Sequence, residues 1–437
     1  MAPDEVYRFG AFALEVHERR LAKNGHVLPI SPKAFDILVV LVRKATHLVT
    51  KTELLDGVWA GSFVEEGNLS VHLAALRKLL DDDSRRPWCI ETIPRIGYRF
   101  IAPVSSDTAG SGTAASGPEA YELVGRARFH LLSASRAEVP KAIAEYQAVI
   151  EREPTYAAAH AGLALGHCAE AELRLAEPSV AYNAARASAL RALAMDSTCA
   201  DAQLALGVVL FLADWNWTVA ERSFTRALDL NPEHTEALLV YGSLLEAVGR
   251  LREGLSMKVK ALERDPFSPL VHVRIALSYW HQRRYDDVIE WAGKTLALDP
   301  DHLLAREFLA GAFLKKADLD RHMSESLTHA RSFGVDEVLL DAIAKAYASG
   351  GRAAVIRGVL DRATRGETTI PEMQWALMSA ELGDLDTAFQ HLDAALAERD
   401  PCLVHMAVAP QWDTMRADPR FSERLQKMGL PTLAASL

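Results

Sequence analysis

Apolar positions recur with two different periods along the first hundred residues. From Glu66 to Leu80, the residues Leu69, Leu73, Leu76 and Leu80 fall at i, i+4, i+7 and i+11, the spacing that gathers side chains on one stripe of an α-helix. Two helices are predicted before it. The first opens at Ser31-Pro32, with Ser as N-cap and Pro at the first helical position, and its apolar side includes Phe35, Leu38, Val39 and Val42. The second starts at Thr50, which stands at capping-box spacing from Glu53, and runs through Leu54, Leu55 and Val58 to Trp59. Ahead of these helices, YRFGAFAL, RRLAK and HVLPI read as short strands. The last two are joined at Asn24-Gly25, a pair that tolerates the positive φ of a two-residue hairpin turn. After the third helix, CIETIPRIGYRFIAPV reads as another hairpin with residues 94–97 at its tip.

From residue 119 onward the pattern is helical, rich in Ala, Leu, Glu and Arg, and it repeats. Pro232, Pro266 and Pro300 are 34 residues apart, Ser197 fills the equivalent slot one unit earlier, and Pro154 begins the series. Ala220, Phe224 and Ala227 precede Leu-Asn-Pro at the spacing of a small-large-small helix contact, and Gly207 and Gly242 supply small residues for close helix crossings. A period of 34 with a closing proline resembles the tetratricopeptide repeat, two antiparallel helices per unit. The step from Pro154 to Ser197 is 43 residues, which predicts a longer helix or an inserted turn around 172–182. After Pro300 the period fades until residues 382–401 restore it. Residues 408–430 are expected to cap a solenoid of about seven units, the fifth and sixth degenerate.

Between the two parts, residues 105–118 (SSDTAGSGTAASGP) are small and polar, as in a flexible linker. The division changes the meaning of the charge. The whole chain carries −10, which taken alone argues against a nucleic-acid partner, yet residues 1–104 sum to +1 and the remainder to −11. The acidity belongs to the repeats, and the cations of the first part can be concentrated on one face.

LSVHLAALRKLL followed by IETIPRIGYRF, together with FGAFALEVHERRL and SPKAFDILVVLV, resembles the OmpR/PhoB-type winged helix-turn-helix DNA-binding domain over nearly all of residues 6–104. The fold class expected is therefore an α+β winged helix at 1–104, a linker at 105–118 and an all-α tetratricopeptide solenoid at 119–437. The resemblance implies a third helix in the major groove and a wing beside it. Asn68, Ser70, Val71, His72, Ala74, Ala75, Arg77 and Lys78 on the helix, and Thr92, Arg95 and Tyr98 on the wing, are the candidate DNA-binding residues. Ala74 and Ala75 stand where the family often has arginine, and Ile96 stands where a second basic wing residue is common. Only about six residues precede the first strand, so a phospho-receiver input is not expected; the arrangement is HilA-like, or CadC-like with a soluble linker in place of a membrane span. The implied partners are double-stranded promoter DNA, RNA polymerase through the loop at 60–67, and a protein, a peptide or a second copy of the chain through the repeats.

Other chemistries find little support. Phosphate-loop, dinucleotide, H-E-x-x-H and G-x-S-x-G motifs do not occur, so neither catalysis nor a cofactor is expected. The four cysteines form no C-x-x-C pair, as suits a reducing cytoplasm. The best uncharged apolar run, residues 202–213, is too short to span a bilayer, so no membrane partner is expected. His160 and His167 beside Cys168 could be imagined as metal ligands, though an incidental helix position explains them better. Trp215, Trp217, Phe224, Tyr279, Trp280 and Trp291 could line a groove, though core packing is favoured. Arg99 reads either as a DNA-side cation or as a sheet-edge residue, and Asp81, Asp82 and Asp83 as a solvated helix end. The alternative function is an adaptor whose winged helix docks protein instead of DNA.

Overall fold

The computed structural model describes residues 5–59, 66–106, 118–132, 135–332 and 334–432. Contacts divide the chain into two compact units, residues 1–209 with 229–232 and residues 210–228 with 233–437.

The first unit opens with β1 (Val6–Phe9), β2 (Phe12–Glu15), β3 (Arg20–Lys23), β4 (His26–Leu28), α1 (Pro32–Arg43), β5 (Leu48–Thr50), α2 (Lys51–Val58), α3 (Glu66–Leu80), β6 (Ile90–Ile93), β7 (Gly97–Phe100) and β8 (Ser105–Ser106). The expected first strand is two strands, because Gly10 takes φ 56° and turns β1 back onto β2. Asn24 and Gly25 adopt φ of 50° and 80°, as the β3–β4 hairpin requires. One antiparallel sheet has the order β4-β3-β2-β1-β8 and the other β5-β7-β6. Both helix starts follow their caps: Ser31 Oγ accepts from Ala34 N at 3.3 Å, and Thr50 and Glu53 bond reciprocally. The α3 stripe of Leu69, Leu73, Leu76 and Leu80 is buried to within 1% against a core that includes Phe9, Phe35, Ile37, Leu38 and Phe100.

The helical part begins with α4 (Pro118–Leu132), α5 (Val139–Arg152), α6 (Ala157–Glu172), α7 (Pro178–Met195) and α8 (Ala200–Leu212). It continues with α9 (Trp217–Leu230), α10 (Thr235–Ala247), α11 (Leu251–Arg264), α12 (Pro269–His281), α13 (Tyr285–Leu298), α14 (Leu303–Lys315) and α15 (Leu319–Ser332). The 34-residue period is visible in the backbone itself, since Trp215, Gly249, Arg283 and Ala317 all take positive φ, each at the turn between the two helices of a unit. The period thus runs one unit further than the prolines reveal. The long step between Pro154 and Ser197 is resolved too: α6 and α7 have 16 and 18 residues against 13 and 14 in α10 and α11, and the turn at 173–177 is longer than the one at 248–250.

Next come α16 (Glu337–Thr364), interrupted at Gly350 and Gly351, then α17 (Glu372–Glu381), α18 (Leu385–Ala397) and α19 (Pro419–Met428). Between α18 and α19 the chain makes short 3-10 turns at Pro401–His405 and Pro410–Trp412. Leu403, Met406, Ala407, Val408, Trp412 and Met415 in this segment are wholly buried. The segment packs on α17 and α18, as a terminal cap should. It also reaches far back along the chain. Trp217 Nε1 donates to the Met428 carbonyl at 2.8 Å, Trp280 Nε1 to Gln411 at 3.1 Å and Lys315 Nζ to the Pro410 carbonyl at 3.2 Å, and Arg283 pairs with Asp413 at 2.7 Å. The C-terminal segment is core to the second unit as well as its cap.

Candidate nucleic-acid interface

With one face of α3 fixed by its leucines, the opposite face is left outward. Asn68, Ser70, Val71, Ala74, Ala75 and Lys78 are exposed, Val71 to 66%. His72 is half-buried with its ring 5.7 Å from that of Trp59, and Lys51 pairs with Glu66 at 2.7 Å, tying the first turn of α3 to α2. The wing stands beside this face. Thr92 and Arg95 are exposed, and Arg95 holds φ 68° at the tip, where Ile96 N bonds to the Ile93 carbonyl at 3.1 Å. A methyl placed on Gly97 would lie 2.1 Å from the Val49 carbonyl oxygen. Only glycine therefore lets β7 lie this close to β5, which explains its place in the Gly-Tyr-Arg-Phe strand.

Two of the candidates are turned inward. Arg77 donates to the Ile90 carbonyl at 2.8 Å and to Thr92 Oγ1 at 2.7 Å, and its Nε lies 3.3 Å from Asp82 Oδ2. Tyr98 is only 7% exposed, with the Arg77 guanidinium 6.0 Å above its ring. These two residues join the recognition helix to the wing. The aspartate run is not one solvated helix end. Asp81 is exposed and pairs with Lys23 at 2.6 Å, whereas the Asp82 carboxylate is buried and accepts the backbone N–H groups of Trp88 at 2.8 Å and Cys89 at 3.1 Å. Burial pushes both the Asp82 carboxyl and the Cys89 thiol up from their ordinary values. Arg99 is not at a sheet edge either: β7 is the central strand, and Arg99 lies opposite both Leu48 and Glu91, with Glu91 Oε2 3.3 Å away. Residues 60–65 of the expected polymerase-facing loop lie outside the described residues. Asp82 could not be found by helix periodicity, because its partners come from the loop that follows.

The second unit holds a buried polar cluster of its own. Glu246 on α10 meets Lys258 Nζ of α11 at 2.9 Å, His281 Nδ1 of α12 at 2.9 Å and the Ser278 hydroxyl. His405 stacks on His281 with ring centroids 4.7 Å apart, and its Nε2 donates to the Ser243 carbonyl at 3.1 Å. Burial alone would raise the Glu246 carboxyl, but Lys258 and His281 bring it down to about 2. Glu246, His281 and His405 are close enough to offer three metal ligands. The Lys258 ammonium already neutralises the carboxylate, however, so a divalent ion would have to displace a buried cation. His160, His167 and Cys168 do not converge: His160 meets the Pro154 carbonyl, His167 meets Glu170, and the Cys168 thiol points to the Ala205 carbonyl. Of the aromatic group, Phe224 and Trp280 are buried, and Trp215, Trp217, Tyr279 and Trp291 pack half-buried on the cores. Among the described residues no helix is long and apolar enough to cross a membrane.

Residues 25–100 match the family model for the C-terminal domain of transcriptional regulatory proteins, and residues 216–269 match a tetratricopeptide repeat model. The chain is similar to the transcriptional activator CadC of Escherichia coli, 31% identical over 100 residues that make up 23% of this chain and 20% of that protein. It is also similar to the response regulator SaeR of Staphylococcus aureus, 30% identical over 99 residues, 22% of this chain and 43% of SaeR. The chain thus spans one fifth of the first relative and less than half of the second. Among solved structures, the tetratricopeptide protein YrrB, described as having an unusual peptide-binding site, is 26% identical and covers 43% of this chain and 89% of its own, with a TM-score of 0.27. Together with the fold, the two family models show that the chain carries a winged-helix domain of the OmpR/PhoB type toward its N-terminal end and tetratricopeptide repeats after it.

Proposed function

We propose that α3 reads the major groove of double-stranded promoter DNA while the wing sets Arg95 against the adjacent minor groove. The observation that carries this reading is the outward α3 face, with Val71, Ala74 and Ala75 exposed next to Lys78 and Arg95. In this reading Asn68, Ser70, His72, Lys78 and Thr92 would meet the sugar-phosphate backbone. Arg77 and Tyr98 serve the same surface by fixing the wing to the helix. Apolar groups at the centre favour contact with thymine methyls over bidentate guanine recognition, so the site is rich in A·T with modest base specificity. Selection from a random DNA pool should enrich such sites; invariant guanines at the centre of the enriched motif would overturn the reading.

The repeats supply the input by taking up a protein, a peptide or a second copy of the chain. Support comes from the second unit, whose helices already hold a long irregular stretch of their own chain at 401–416. The loop at 60–67 is the candidate contact for RNA polymerase. A phospho-receiver is not part of this reading. The exposed Val71 favours one second reading, in which the winged helix docks a protein and the chain acts as an adaptor. The two separate on salt, because only a phosphate-binding surface loses affinity steeply as salt rises.

A further inference from the structure

The recognition face of the winged helix is outward, but its opposite side is covered by the first helix of the repeats. A methyl placed on Gly125, in the middle of α4, would lie 2.2 Å from the Trp88 carbonyl oxygen, so the two backbones touch. Tyr121, one turn earlier on α4, stands beside Gly10 at the β1–β2 turn, and Gly10 in turn packs under the Trp88 ring. Trp88 is 3% exposed and Cys89 wholly buried. A glycine in a helix interior weakens the helix, and here its return is the close approach it permits. Charged groups also face one another across this boundary: burial raises the Glu122 carboxyl of α4, Lys23 of β3 acts to lower it and Asp81, which pairs with Lys23, to raise it, and on Glu145 of α5 Arg86 acts against burial. Each side also has its own apolar core, one confined to residues 7–104 and the other to residues 120–175, so the boundary is an interface between two folded bodies.

We propose that the first repeat is a docking partner for the winged helix, with α4 seated on the 86–89 loop, so that the DNA reader and the first repeats act as one body instead of two bodies on a tether. The dock leads directly to the DNA-reading surface. Trp88 N–H donates to Asp82, Asp82 pairs with Arg77, and Arg77 donates to Thr92 on the wing. A repeat array that shifts α4 therefore pulls on the joint between recognition helix and wing. This consequence rests on the DNA-binding reading; the dock itself does not.

The test uses the full chain with a specific protease site placed within residues 107–117. After cutting, the two halves should still migrate together in size exclusion at micromolar concentration. Gly125→Leu should weaken their association by about tenfold or more, as overpacking at a tight contact does. Helix propensity rises with that change, so the Gly125→Leu repeat half alone should melt no lower than its parent. Glu122→Lys provides a second variant, which should weaken association more at low salt than at high salt. Separation of the parent halves on cutting, or unchanged association in both variants, overturns the dock. On any DNA that the winged helix binds, the cut chain should carry the repeat half into the shifted band. A shifted band without that half also overturns the dock. No shift at all counts against the DNA reading and leaves size exclusion to judge the interface.

Discussion

Two surfaces of this chain present apolar side chains and have opposite fates. The outer face of α3 is made of Val71, Ala74 and Ala75 with cations at its margin, and it stays exposed. In the second unit, helix faces that carry Trp217, Trp280 and His281 are met by residues 401–428 of the same chain. The polar groups differ accordingly. Around α3 the unburied ones, Ser70, Lys78, Thr92 and Arg95, are outward, and Asp82 is sealed beneath them. In the second unit Glu246, Lys258 and His281 are sealed together with almost no exposure. An apolar helix face is therefore not a binding site by composition. What decides is whether another part of the chain has already covered it.

The comparison predicts where substitutions cost stability and where they do not. Lys258→Met leaves the Glu246 carboxylate buried without its cation and should cost about 3–5 kcal/mol, seen as a lower denaturation midpoint for the second unit with α1–α3 unaffected. The double variant with Glu246→Gln should recover a large part of that loss. A single-variant midpoint equal to the parent would mean that the cluster is not a sealed one. Arg77→Met removes a charged donor from Ile90 and Thr92 and should cost the winged helix about 1–3 kcal/mol, with wing amides near Thr92 exchanging faster in hydrogen-exchange measurements.

The second unit and the winged helix should also differ in acid. Burial holds the His281 and His405 imidazoles neutral in the fold, with Lys258 adding to the same effect on both and Arg283 on His281, while Glu246 opposes it. The unfolded chain therefore takes up these protons first. Stability of the second unit should be full above about pH 6.5 and fall below it by at most about 1.4 kcal/mol per pH unit for each histidine. Glu246, held at about 2, keeps its own contribution above the ordinary carboxylate range and loses it only as the pH falls toward that value. The winged helix has no such buried histidine among the described residues, so its melting should change less across the same interval. The smallest effect is expected at the surface: Val71→Ser should change stability by no more than about 0.5 kcal/mol while lowering DNA affinity several-fold in a shift assay.

What could be read from the sequence follows the range of the interactions involved. The α3 stripe, the Thr50–Glu53 capping box, the Asn24-Gly25 turn and the 34-residue period all rest on neighbours within a turn or a repeat, and the residues that encode them are visible as spacing. The helix at Ser31-Pro32 is of the same kind. β5 is three residues long and exists because β7 pairs with it from the far side of α3, so nothing local marks it. The division of YRFGAFAL depends on one left-handed glycine within an apolar run. Arg77 occupies a flank of the recognition helix where spacing alone allows either a phosphate or an internal partner, and the loop after α3 decides for the internal one. The buried cluster joins residues from Ser243 to His405, and the Trp217 bond to Met428 spans almost half the chain. No periodic rule reaches that far.

Whether the outward face of α3 with its wing is a DNA-reading surface can be decided by titrating the full chain onto its selected DNA over a series of salt concentrations, with and without Arg95→Ala. Log affinity should fall steeply and linearly with log salt, and the slope should drop by about one when Arg95 is removed. An affinity that barely changes with salt, in parent and variant alike, would contradict that reading and leave the winged helix as a protein-docking module.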